Sequence, residues 1–183
     1  MTSYCEFAVT DSLHKPYHDD EYGFPLRDDS ALFERLILEI NQAGLSWATI
    51  LRKRPAFRQA YSEFDLDAVA AYDEADRKRL LGDAGIIRNR LKVNAAIENA
   101  RRLVELRHEH GSFAEWLNRH HPASKEAWVK LFKRHFLFTG PEIVNEFLMS
   151  TGYLPGAHRR ECPIYEKVLA SNPHWVNVPG QQA

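Results

Sequence analysis

This chain has only two cysteines, two methionines and almost no net charge, −1 at pH 7 over 183 residues. Two cysteines cannot build a disulfide scaffold, so a small cross-linked secreted module is excluded. No apolar run approaches the ~20 residues of a membrane-spanning helix. The acidic Glu6 and Asp11 break the pattern of a secretory signal peptide, so the chain reads as cytoplasmic. The balance of charge excludes a global nucleic-acid signature; a basic face would have to be local. The sequence has no internal repeat, no low-complexity linker and no run of alternating apolar and polar residues between hairpin turns, which removes the repeat and β-sandwich classes. Its length suits one domain, 1–183, with a substantial core or two small lobes.

What is present is helical periodicity with capping signals from Asp28 onward, which predicts an all-α fold. Ser30 is expected to cap a helix with Leu32, Phe33, Leu36, Ile37 and Ile40 on one stripe. Ser46 caps a second, beginning at Trp47 and stopping before Pro55. Asp65 and Asp73 start two more, the latter ending near Gly82. A long helix is expected from Ile86 to Arg107, and Ser112 and Ser124 cap the next two. From Trp128 the chain reads as helix, short turn and helix: Trp128 to Arg134, then residues 135–141, then Glu142 to Ser150, a hairpin near 131–150. Residues after Pro163 read as a loosely held tail.

Both cysteines fall in one split constellation: Cys5 and His18 near the start, His158 and Cys162 near the end. Two thiolates and two imidazoles suit one tetrahedral Zn²⁺ with no position left for water, hence a structural ion, one per chain. Such an ion would staple the termini and make folding depend on it. The rival reading is two free or disulfide-linked cysteines with incidental histidines among the nine in the chain.

Glu39 lies seven residues after Leu32 and three after Leu36, in the middle of the apolar stripe. A carboxylate there is paired with an arginine, bonded to a backbone amide, neutral, or lining a pocket. Downstream, Gly44 suits a helix C-cap and Trp47 presents an indole at the start of the next helix. A Trp at such a corner is ordinarily core; beside a buried carboxylate it could wall a slot for a flat ring whose N–H groups the acid accepts.

Three blocks carry a family resemblance: Leu13 to Gly23, with Tyr17-His18; Leu38-Glu39 through Gln42-Ala43-Gly44-Leu45-Ser46-Trp47; and Asp83 to Arg90. With the four metal ligands they run from Cys5 to Cys162 in one order, and the chain resembles the 3-methyladenine DNA glycosylase I family of the helix-hairpin-helix superfamily. The resemblance implies a two-lobed, all-α DNA glycosylase with a structural zinc joining its N- and C-terminal segments. Its implied activity is monofunctional: flipping 3-methyladenine out of alkylated double-stranded DNA and hydrolysing its N-glycosidic bond, in base excision repair. Glu39 would be the catalytic carboxylate and accept from the base's amino edge, Trp47 would stack on the base, and Tyr17 would add a polar contact. His14 stands where an aromatic is usual and joins the base-binding candidates. Phe136 to Pro141 would grip the DNA backbone, making Phe136, Phe138 and Gly140 DNA-binding candidates.

Arg88, Arg90 and Lys133 flank the two turns expected to face the duplex, within a wider basic set of Lys53, Arg54, Arg58, Lys92, Lys130 and Arg134. After Gly140-Pro141 the chain departs from the family pattern with Glu142 and Asn145. Where bifunctional relatives carry a lysine after the hairpin glycine, this chain has Pro141-Glu142-Ile143, so no lyase activity is expected. The competing functions are a zinc-stapled module that binds damaged DNA without catalysis, and a related glycosylase with shifted purine specificity. A monomer, with no membrane partner, is expected.

Overall fold

The computed structural model describes residues 3–178. Those residues form eleven α-helices and two short 3-10 turns, with no strand among them. The chain divides into two compact units: residues 1–26 with 145–183, and residues 27–144.

The first unit is built from both ends of the chain. It holds α1 (Tyr4–Ala8), α2 (His14–Asp20), the later part of α10 (Pro141–Ser150), α11 (Tyr165–Ala170) and a 3-10 turn, His174–Asn177. Ser3 and Glu6 form a reciprocal capping box at α1: the Ser3 hydroxyl accepts from the Glu6 N–H, and the Ser3 N–H donates to the Glu6 carboxylate. Neither α1 nor α2 was expected from sequence, because helices of five and seven residues carry too little periodicity to show. The expectation of a loose tail after residue 163 is corrected as far as Val178: α11 buries Val168 and the following turn buries Trp175. Residues 179–183, the rest of that expected tail, lie outside the described ones.

The second unit surrounds α3 (Asp29–Gln42). This helix packs against α4 (Trp47–Ala60), α5 (Leu66–Ala70), α7 (Arg90–His110) and α8 (Phe113–His120). Every residue from Leu32 to Asn41 is buried, so α3 is an all-round core helix and not the one-striped helix expected. Its cap is Asp28, whose carboxylate accepts from the Ala31 N–H at 2.9 Å, and not Ser30. The remaining helices are α6 (Glu74–Gly82) and α9 (Lys125–His135).

Ser46, Asp65, Asp73, Ser112 and Ser124 cap their helices as expected. Helices α4 and α7 differ in extent, α7 also running on to His110 where Arg107 was expected. Helix α4 runs through Pro55 to Ala60; the lost backbone bond is outweighed by burying Phe57 and Ala60, with Phe57 stacked on Tyr61 at 6.2 Å. Helix α7 starts at Arg90, not Ile86, because the Asn89 side chain accepts from the Lys92 N–H at 3.1 Å and holds Asn89 extended.

Candidate functional site

Within the first unit, Cys5, His18, His158 and Cys162 converge. Their ligand atoms all lie within 4.8 Å of one another and all four residues are buried, a group that could hold a metal ion. Cys5 Sγ lies 3.8 Å from His158 Nδ1, Cys162 Sγ 3.6 Å from His18 Nε2 and 3.5 Å from His158 Nδ1. The other nitrogen of each ring is tied down. His18 Nδ1 meets Asp19 Oδ1 at 2.7 Å, and His158 Nε2 meets the Tyr22 carbonyl at 2.7 Å. With acceptors on those sides, each ring carries its proton away from the cluster and points a lone pair into it. Asp19 is ionised, held below the usual carboxylate range by its bond to Lys15 first and to His18 second. Burial pushes the His158 pKa down, which favours the neutral, ligating form. Burial pushes the Cys162 thiol up, so a cation is needed to favour its thiolate.

Gly23 explains how His158 is seated. It sits at φ +87°, its N–H donates to the Ser150 carbonyl at 2.9 Å, and a Cβ there would lie 2.8 Å from Ala157 Cβ and 3.4 Å from His158 Cδ2. Asp19, Tyr22 and Gly23 were absent from the expected site residues; their position beside the Tyr17-His18 pair was the available signal.

Tyr17 and His14 also lie in the first unit, on α2, and both are buried. Tyr17 packs on Tyr22 with ring centroids 5.7 Å apart. His14 Nδ1 lies 3.2 Å from the Tyr4 hydroxyl, and its ring meets Phe7 edge-on at 5.0 Å. His14 therefore belongs to an aromatic cluster built on α1.

In the second unit, Glu39 is 4 % exposed near the end of α3. Gly44, at φ +79°, then reverses the chain, and Trp47 begins α4 partly exposed. The Leu45 N–H donates to the Gln42 carbonyl at 2.7 Å, and Leu45 itself is 41 % exposed at the corner's tip. Lys92 reaches this corner from α7: its Nζ donates to the carbonyls of Asn41 at 2.8 Å and Ala43 at 2.7 Å.

The other turn of interest joins α9 to α10. Phe138 and Leu137 are exposed, Phe138 at φ +59°, and Lys133, Leu137, Phe138 and Gly140 border a shallow depression of about 500 Å³. Phe136 lines the floor of that depression and is itself buried. Its ring packs on Phe132 and Trp116 at 5.3 and 5.6 Å, and its N–H donates to the Phe132 carbonyl at 2.7 Å. Its ring therefore belongs to the core.

Arg88, Arg90 and Lys133 are exposed, as a phosphate contact requires. Four of the wider basic set are engaged elsewhere. Arg54 and Arg58 pair with Glu34, Lys53 donates to the carbonyls of Ala84 and Gly85, and Lys92 is buried. Sequence spacing had marked them as basic without showing that each had a partner distant in the chain.

Three comparisons bear on what this arrangement is. The methyladenine glycosylase family profile matches residues 7–165. DNA-3-methyladenine glycosylase 1 of Escherichia coli (strain K12) is 36 % identical over 180 residues, covering 88 % of this chain and 96 % of that protein. The DNA-3-methyladenine glycosylase of Haemophilus influenzae (strain ATCC 51907 / DSM 11121 / KW20 / Rd) is 32 % identical over 182 residues, covering 89 % and 98 %. Among solved structures, a variant of 3-methyladenine DNA glycosylase I in complex with 3-methyladenine superposes with a TM-score of 0.78 at 30 % identity, covering 89 % of this chain and 97 % of that one. On these matches, the first of which covers residues 7–165 and with them the Glu39–Trp47 corner, the chain belongs to the methyladenine glycosylase family.

Proposed function

We propose that the chain is a monofunctional DNA N-glycosylase that removes 3-methyladenine from alkylated double-stranded DNA in base excision repair. The observation that carries this reading is a carboxylate, Glu39, buried one turn before a glycine-reversed corner that leads to a partly exposed indole, Trp47, in a chain of this family.

The chemistry needs little more. N3-methylation leaves a positive charge on the purine, so its bond to the sugar is already weak. Glu39 accepts hydrogen bonds from the amino edge of the flipped base and offers fixed negative charge to the delocalised cation, which disfavours a neutral adenine by comparison. Trp47 stacks on the ring. The C1′–N9 bond breaks with its electron pair leaving on the purine, and water adds its oxygen to C1′ and loses a proton. The products are free 3-methyladenine and an abasic deoxyribose. The stretch Pro141-Glu142-Ile143 offers no amine for a Schiff base, so the strand stays intact.

The α9–turn–α10 segment is the helix-hairpin-helix, gripping phosphates through main-chain amides after Leu137, with Lys133, Arg88 and Arg90 as exposed cations nearby in sequence to the two turns. The buried cluster holds one structural Zn²⁺. For Zn–S of about 2.3 Å and Zn–N of about 2.0–2.1 Å at the tetrahedral angle, the sulfur-to-nitrogen edge is about 3.6 Å. Three of the four such edges measure 3.5, 3.6 and 3.8 Å. Four protein ligands leave no position for water, so the ion supplies folding energy and no step of the reaction.

Glu39→Gln tests the central role. Single-turnover release of 3-methyladenine should fall by roughly 10²-fold, the size of losing one preorganised electrostatic contact, while the circular dichroism spectrum stays unchanged. Equal release from both proteins would remove Glu39 from the mechanism.

A further inference from the structure

Helix α7 carries two buried polar side chains whose bonds leave the helix and end on the backbone of the two turns just described. Lys92 is 5 % exposed, and both bonds of its Nζ go to main-chain carbonyls, those of Asn41 and Ala43. Those carbonyls close α3 behind Glu39 and lead into the corner before Trp47. Asn99 has no exposed surface and makes a two-way bond with Leu137: its Oδ1 accepts from the Leu137 N–H at 2.8 Å, and its Nδ2 donates to the Leu137 carbonyl at 3.0 Å. Arg102 adds a bond to the His135 carbonyl at 2.9 Å, where α9 ends.

Packing alone does not account for these residues. Burial pushes the Lys92 pKa down, so its charge is held there at a cost that no carboxylate relieves. A methionine or leucine would fill the same space without that cost. What the ammonium adds is a pair of bonds to the last carbonyls of α3 and a positive charge at the negative end of its dipole. Asn99 likewise offers a donor and an acceptor at one point of the main chain, which fixes that peptide in position and in orientation. Lys92 and Asn99 stand seven residues apart, two helical turns, so they leave α7 on nearly the same side about 10.5 Å apart along its axis.

We propose that Lys92 and Asn99 are positioning residues that make α7 a ruler, Lys92 setting the Glu39–Trp47 corner and Asn99 setting the α9–α10 turn. The proposal rests on the glycosylase reading above. Neither side chain touches DNA; each acts through the backbone it holds, and the spacing between base recognition and phosphate grip is set by one uninterrupted helix.

The two roles separate in kinetics. With methylated duplex DNA, Lys92→Met should lower the saturating single-turnover rate of 3-methyladenine release by roughly 10²-fold, the cost of a displacement near 1 Å at a reacting centre. Its affinity for the duplex should stay within about twofold of wild type. Asn99→Ala should do the reverse, weakening duplex binding by about tenfold, the worth of one or two hydrogen bonds, with the saturating rate little changed. Amide exchange should rise in residues 41–47 in the first variant and in 136–140 in the second. A merely structural role would lower rate and affinity together, in proportion to the folded fraction; that result, or both variants moving the same parameter, would overturn the proposal. If Lys92→Met does not fold, Lys92→Arg, which keeps the charge but shifts the carbonyls it reaches, is read by the same split. A wild-type chain that binds methylated duplex and releases no base would overturn the glycosylase reading instead, and amide exchange would still decide whether each residue anchors its turn.

Discussion

A single methyl group at Gly23 is enough to test how His158 is held. The residue sits at φ +87°, where any side chain costs about 1–2 kcal/mol, and its Cβ would lie 2.8 Å from Ala157 Cβ beside the His158 ring. Gly23→Ala should therefore lower the melting temperature and the metal content together, the second measured by elemental analysis of the purified protein. A variant with full metal content and a lower melting temperature would separate the glycine from the cluster. At this scale the sequence was informative wherever chemistry is local: the four ligand positions and Glu39 stand out by residue type and spacing alone. Lys92 did not, because a lysine on a long helix reads as a solvated charge until its carbonyl partners, 49 and 51 residues away, are seen.

Helix α9 carries a pH-sensitive element at its last residue. His135 packs its ring on Trp116 at 5.2 Å, and burial first, then His120, Arg134 and His110, hold its pKa below the usual 6.5, with Glu109 opposing. The folded state thus binds this proton less tightly than the unfolded chain. The contribution to stability is intact above about pH 6.5 and is lost as the pH falls through that range and through the lower folded value. Urea midpoints at pH 7.5 and 5.5 should differ more in the wild type than in His135→Gln; identical differences would assign the acid sensitivity to other groups. Helix boundaries were legible from sequence where a cap is a local hydrogen bond, as at Ser46, Asp65, Asp73, Ser112 and Ser124. They were not where tertiary burial decides: α4 continues past Pro55 because Phe57 beyond it belongs to the core. The same holds for α1 and α2, too short to stand alone and placed by the contacts of Cys5 and His18.

At the scale of the molecule, one unit is assembled from the two ends of the chain, and the cluster draws two ligands from each end. A bound ion here closes a loop of some 150 residues between Cys5 and His158, which restricts the unfolded chain most when the loop is long. The protein should hold one zinc per chain, and a chelator or Cys162→Ser should lower the melting temperature. The accompanying loss of amide protection should concentrate in residues 3–26 and 151–178, ahead of residues 27–144. A metal-free protein of equal stability would remove the staple. That the termini pair was visible in the sequence as ligand spacing; that they form a compact unit with α11 and Trp175 was not, since residues 164–178 carry few periodic apolar positions.

The most direct test of the account is to incubate the zinc-loaded protein with methylated duplex DNA and separate the free bases released. Release of 3-methyladenine with 7-methylguanine left in the DNA is the predicted result, since the carboxylate proposed to read the base accepts from the 6-amino group of adenine, where guanine presents an oxygen acceptor instead. No release from a folded, DNA-binding protein would contradict it.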